Sequence, residues 1–129
     1  MGIVRHTVES WCRGDVEAAL SYSDANNFEV VNETGAHGLT GVYHGHEGFL
    51  DLIRRVEEIF DEYRTEPLEY SDLGSQVLVR FREVGRGKLS GMEIDRPLWC
   101  LYTLEGDMIV RLENYGDREQ AMWAAGLGD

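Results

Sequence analysis

Asp95, Tyr102 and Glu33 are the side chains whose chemical types suit proton transfer in this chain. A carboxylate at Asp95 that abstracts a proton, opposed by Tyr102 as donor to a developing enolate, is an arrangement for isomerisation or cyclisation. Glu33, beside Asn32, is the second carboxylate in reach. Asp95 with Arg96 also reads as a loop-edge ion pair, and Pro97 marks a bulge or local break that leaves the facing of Asp95 open. Asn32 and Asn114 take up no proton near neutrality, so they either bond nearby backbone or line a ligand as uncharged partners. His37, His44 and His46 with Glu47 fall short of the three or four convergent ligands that a zinc site needs, so no metal and no cofactor is expected. His44 is read instead as an acid or base at a pocket rim. Gly85-Arg86-Gly87-Lys88 joins two strands and is a hairpin turn, not a phosphate loop.

Periodicity gives the elements that must position these groups. Ile3, Val4, Val8, Trp11 and Cys12 recur at helical spacing, which predicts a first helix that stops at Gly14, and Asp15 caps a short second helix through Ala19 and Tyr22. Phe28 to Glu33 reads as a strand and Gly35 to Gly45 as a loop or irregular edge. Phe49, Leu52, Ile53, Val56, Ile59 and Phe60 form one stripe of a long helix from His46 to Tyr63. Leu68 to Asp72 and Gln76 to Glu83 follow as strands, with a turn at Gly85 to Gly87. Leu98 to Leu104 and Met108 to Tyr115 are joined by the turn Glu105-Gly106-Asp107, and a helix from Asp117 to Gly126 ends the series.

Strand alternation sorts the side chains into two faces. Phe28, Val30, Asn32, Val77, Val79, Phe81, Leu98, Cys100, Tyr102, Val110, Leu112 and Asn114 share the inner one, with Trp11 reaching in from the first helix. The set expected to contact a ligand is Trp11, Phe28, Val30, Asn32, Val79, Phe81, Leu98, Cys100, Leu112 and Asn114. Arg80, Arg82, Arg111 and Glu113 fall outside with Trp99, Leu101 and Ile109, a mixture suited to a homodimer surface.

Bulk properties narrow the function classes. With 24 Asp and Glu against 12 Lys and Arg, the net charge of -12 disfavours nucleic acid and anionic membranes as partners. Hydrophobic content of 43% fits one globular domain over 129 residues. No apolar run approaches the roughly 20 residues of a membrane span, and a soluble, cytoplasmic protein is the expectation. Cys12 and Cys100 are read as reduced, packed thiols.

The order helix, helix, strand, helix, antiparallel strands, helix is that of an α+β domain, and particular residues sharpen it. Trp11-Cys12-Arg13-Gly14-Asp15, Gly41-Val42-Tyr43-His44-Gly45-His46-Glu47-Gly48, Ser90-Gly91-Met92-Glu93-Ile94-Asp95 and the stretch from Gly106 to Ala121 resemble SnoaL-like proteins of the nuclear-transport-factor-2-like, ketosteroid-isomerase-like superfamily. The resemblance implies a cystatin-like cone: a curved antiparallel sheet over helices, a deep pocket for a small hydrophobic molecule, and dimer formation. It also implies a polyketide cyclase or ketosteroid-isomerase-like activity, or a non-catalytic ligand-binding protein on the same fold. In isomerase-like members the first strand ends in an aspartate base, where this chain has Asn32. Epoxide-hydrolase-like members place an aspartate late in the last strand, where Asn114 stands, with charge where Val77 and Val79 stand.

Overall fold

The structure is a computed structural model that describes residues 1–34 and 38–128; His37 lies outside the described residues. Helix α1 (Gly2–Cys12) forms because Val4 and Val8 repeat at one-turn spacing and are both buried. Helix α2 (Val16–Ala19) starts where Asp15 Oδ1 accepts the Ala18 N–H at 3.1 Å. Strand β1 (Glu29–Glu33) follows, and within the expected loop a second strand, β2 (Gly41–His44), pairs antiparallel with it, Val31 opposite Val42.

Helix α3 (Gly45–Ile59) buries Leu52 and presses Phe49, Val56 and Ile59 on the core. It stops at Ile59, short of Tyr63. Phe60 continues the apolar stripe, yet it takes φ -121° and ψ 143° and opens strand β3 (Phe60–Asp72), which pairs with strand β4 (Gln76–Gly87). Sheet pairing thus overrides helical periodicity, and Lys88 N–H bonding to Ile59 O at 2.8 Å holds the junction. The expected turn at Gly85 to Gly87 is strand as well; the chain reverses after it, where the Gly87 N–H bonds Met92 O at 2.9 Å.

Strand β5 (Glu93–Glu105) runs through Pro97 in unbroken register with β4, Arg82 opposite Pro97, so the expected bulge or break is absent there. Proline is tolerated because pairing with strand β6 (Met108–Tyr115) begins only at Trp99. The six-stranded sheet has the order β2-β1-β6-β5-β4-β3, with β1 and β6 parallel and the other pairs antiparallel. Its curved inner face carries Phe28, Val30, Val77, Val79, Phe81, Leu98, Cys100, Tyr102 and Leu112 against Val4, Val8 and Leu52 of the helices. This is the α+β cone over helices.

One shift alters the expected facing. Between β5 and β6 the register slips so that Thr103 faces Arg111 while Leu104 faces Ile109. Ile109 consequently turns into the main core, 3% exposed, with its N–H on Tyr22 O at 2.7 Å, and Val110 loses the inner place alternation gave it. Helix α4 (Arg118–Ala124), capped by Asp117, lays Ala121 over Leu78, Trp99 and Leu101 on the outer face. The apolar centre expected to meet a second subunit is therefore covered by this chain's own helix. Among the described residues no helix is long and apolar enough to cross a membrane.

Gly45 fixes the entry to α3. Its φ is +69°, its N–H bonds Phe28 O at 2.6 Å, and a Cβ there would sit 2.4 Å from Ala25 O. Gly45→Ala should lower stability by about 2 kcal/mol or more, from left-handed strain and the clash with backbone. Urea unfolding checks this, and a variant with the parent's midpoint would contradict it.

Candidate functional site

Between the inner sheet face and the first three helices lies a cavity of about 130 Å³. Its wall is mostly aromatic and aliphatic: Phe28, Phe49, Phe60, Phe81, Leu98 and Leu112 among others. Trp11 closes one side, edge-on to Phe49 at 5.8 Å, and its Nε1–H donates to Thr65 Oγ1 at 3.2 Å. Besides Tyr102 and the hydroxyls of Thr7, Ser23, Thr34 and Thr65, two hydrogen-bonded clusters interrupt this apolar lining.

The first joins Asn32, Asn114 and Cys100. Parallel pairing of β1 with β6 sets Asn32 beside Asn114, and antiparallel pairing of β5 with β6 sets Cys100 on Asn114's other side. Asn114 Nδ2 donates to Asn32 Oδ1 at 3.3 Å, the Cys100 thiol donates to Asn114 Oδ1 at 3.2 Å, and Asn32 Nδ2 donates to Leu39 O at 3.1 Å. The asparagines thus line the cavity and also bond backbone and each other. Burial, and then the charge of Glu83, push the Cys100 thiol well up, so it stays a protonated donor.

The second group is Glu83 with Tyr63 and Arg96, all three at the cavity wall. Register places Glu83 directly opposite Arg96, whose Nε donates to Glu83 Oε1 at 2.6 Å; the Tyr63 hydroxyl donates to Oε2. The Glu83 side chain is 7% exposed and that of Arg96 36%. Burial, followed by the neighbouring Glu83 charge, holds the Tyr63 hydroxyl far above its ordinary pKa, so it donates and does not ionise. Gly85 leaves room for this tyrosine, since a Cβ there would stand 3.3 Å from Tyr63 Cδ2.

Of the residues expected from sequence, Trp11, Phe28, Asn32, Phe81, Leu98, Cys100, Tyr102, Leu112 and Asn114 border this one cavity. Val30 and Val79 are 0% exposed and belong to the core outside the cavity wall. Asp95 stands on the other side of β5, exposed, gripped by Arg82 through Nε to Oδ1 at 2.8 Å and Nη2 to Oδ2 at 2.7 Å. That pairing holds its carboxyl below the usual range. Glu33 is exposed at the end of β1 and does not border the cavity. The catalytic roles read for Asp95 and Glu33 therefore fail on placement, while Tyr102 remains inside, its hydroxyl pushed well up by burial and then by Cys100. His44, read as a rim acid or base, is exposed, 3.9 Å from Glu29, and does not border this cavity; His46 bonds Ser23.

Glu83 and Tyr63 were not singled out in the sequence, and Arg96 was read only as the ion-pair partner of Asp95, whereas it pairs with Glu83 and Asp95 pairs with Arg82; alternation nonetheless contains two of the three. Val77, Val79 and Phe81 extend to Glu83, and Tyr102, Cys100 and Leu98 extend back to Arg96. Tyr63 was hidden by its assignment to the long helix.

The asparagine chain has a measurable consequence. Asn32→Leu removes the donor to Leu39 O and the acceptor for Asn114, and should cost about 2 kcal/mol of stability. The double variant Asn32→Leu/Asn114→Leu should cost less than the sum of the singles; full additivity in urea unfolding would contradict the linkage.

Comparison with known proteins places this geometry. The SnoaL-like domain matches residues 4–112. An NTF2-like protein from Burkholderia thailandensis has a structure similar to this one with TM-score 0.83 at 21% identity, over 94% of this chain and 95% of that one. TerC co-crystallized with polyporic acid is similar with TM-score 0.78 at 20% identity, over 97% and 96%. A protein from Xanthomonas campestris, named provisionally as a polyketide cyclase, has TM-score 0.68 at 18% identity, over 96% and 94%. No curated protein matches the sequence. With the match spanning most of its length, the chain belongs to the SnoaL-like domain family, on the NTF2-like, ketosteroid-isomerase-like fold.

Proposed function

We propose that the protein binds a small, mainly apolar molecule of polyketide, steroid or terpenoid character inside the cone. The observation that carries this reading is the cavity itself: an apolar wall broken only by a few placed polar groups, the pattern of a small-molecule site. Thr7 Oγ1 adds support, because it lies at the same wall, buried and without a hydrogen-bond partner among the described residues. Native proteins rarely leave such a group unpaired, and a ligand oxygen would satisfy it. A homodimer through the outer sheet face, which the fold resemblance implies, would meet Arg80, Arg111 and the exposed Trp123 and not Trp99 and Leu101, which lie under α4.

The neutral dye N-phenyl-1-naphthylamine should brighten saturably on binding, and Val56→Trp, which adds bulk at the wall, should weaken binding at least about tenfold by overfilling the site. No saturable signal, or one indifferent to Val56→Trp, would contradict the reading.

A catalytic version rests on a specific feature: Glu83 is the one carboxylate bordering the cavity among the described residues. In place of Asp95 it would accept a proton from the carbon beside a ligand carbonyl and return it elsewhere, the acid-base step of isomerases and cyclases. The parent should then speed deuterium exchange at the α-carbon of 2-tetralone, and Glu83→Gln should lose about 10²-fold or more of that rate while dye binding persists. Exchange no faster than in buffer would favour the non-catalytic binding protein, to which the prior engagement of both Glu83 oxygens points.

A further inference from the structure

Among the described residues Arg96 is the cation of the cavity wall, and most of its donors have no protein partner. A guanidinium carries five N–H donors in a rigid fork. Only Nε–H is engaged, on Glu83 Oε1; the terminal nitrogens Nη1 and Nη2 have no hydrogen-bond partner among the described residues. The guanidinium is nonetheless held at the wall by that bond. Its anchoring carboxylate is buried, bonded on its other oxygen by Tyr63, and lies in register across two central strands.

Of the other donors at the wall, the Tyr63 hydroxyl is committed to Glu83, the Trp11 indole to Thr65 and the Asn32 amide to Leu39 O, while the Thr7 and Tyr102 hydroxyls are neutral and bring no charge assistance. Charge sets the preferred partner. Glu83 neutralises Arg96, the wall holds no other ionisable cation among the described residues, and the chain as a whole is at -12, so an anionic ligand gains little here while a neutral acceptor gains a charge-assisted bond.

Resting on the cavity reading above, we propose that Arg96 recognises a neutral carbonyl oxygen of the ligand through its terminal N–H groups, with Glu83 and Tyr63 as the residues that position it. The ligand class is then a compact apolar ketone or related carbonyl compound, its body against the aromatic wall and its oxygen on the guanidinium.

Acetophenone, ethylbenzene and benzoate, titrated against isotope-labelled protein by nuclear magnetic resonance, test this. Trp11 Nε1–H reports cavity entry, and Arg96 Nε–H reports contact at the guanidinium. The affinity ratio of acetophenone to ethylbenzene, which cancels differences in hydration between protein variants, should fall about tenfold from the parent to Arg96→Met. Arg96→Met/Glu83→Gln, which leaves no unpaired carboxylate, should show the same fall and keeps the test alive if the single variant does not fold. Acetophenone, and not ethylbenzene, should shift Arg96 Nε–H. A ratio unchanged in the folded variants would overturn the proposal and leave the cavity reading standing, and benzoate binding the parent more tightly than acetophenone would overturn the neutral class. Absence of binding by both acetophenone and ethylbenzene would overturn the cavity reading and this proposal together.

Discussion

A carboxylate buried at the edge of an apolar cavity is the constraint around which the inner structure is arranged. Taking Glu83 out of water costs several kcal/mol, and only a well-placed cation with further hydrogen bonds offsets it. Arg96 and Tyr63 meet that need, and each makes a demand on the fold. Arg96 requires β4 and β5 to keep register through Pro97. Tyr63 requires α3 to end at Ile59 and the chain to become strand at once, because a helix carried through Tyr63 would replace the β3 backbone that pairs with β4 here. Gly85 completes the arrangement by leaving the tyrosine ring its space.

Elsewhere on the inner face the two asparagines and Cys100 are matched internally. Cys100, Asn114 and Asn32 form a chain that ends on the Leu39 carbonyl, and that same oxygen accepts from the Tyr43 hydroxyl at 2.8 Å. Such a chain is stable in a low-dielectric interior because each member is bonded, and it fixes how the parallel β1–β6 junction closes the cone. The charges are distributed in the opposite way: the acidic excess lies on the solvated surfaces, as on the outer side of α3, where Asp51 pairs with Arg55 at 3.1 Å. The cavity is left electrically balanced, which favours neutral ligands there.

Much of this was legible in the sequence. The stripe of α1, the Asp15 cap, the Leu52 and Val56 face of α3 and the alternation of β1, β4, β5 and the end of β6 follow from side-chain period alone, and the strands place Asn32, Cys100, Tyr102 and Asn114 on one surface. Three features were not legible, each because long-range pairing decides it. Phe60 satisfies a helical stripe equally well and becomes strand only because Gly87 lies opposite. The register slip that turns Ile109 inward depends on Tyr22 O capturing its N–H. Pro97 resembles a strand breaker until it is seen where β5 has a neighbour on one side only. The last of these misplaced the chemistry, since an unbroken strand carries Arg96 inward and Asp95 outward.

The account's central claim, that Glu83 and Arg96 stabilise the wall as a linked pair, is tested most directly by a double-mutant cycle in urea unfolding. Arg96→Met should cost about 2 kcal/mol, less than for a dry pair because Arg96 is 36% exposed. Adding Glu83→Gln to that variant should restore part of the loss, because the carboxylate is no longer left buried and unpaired. Single-variant costs that sum to that of the double would contradict the claim.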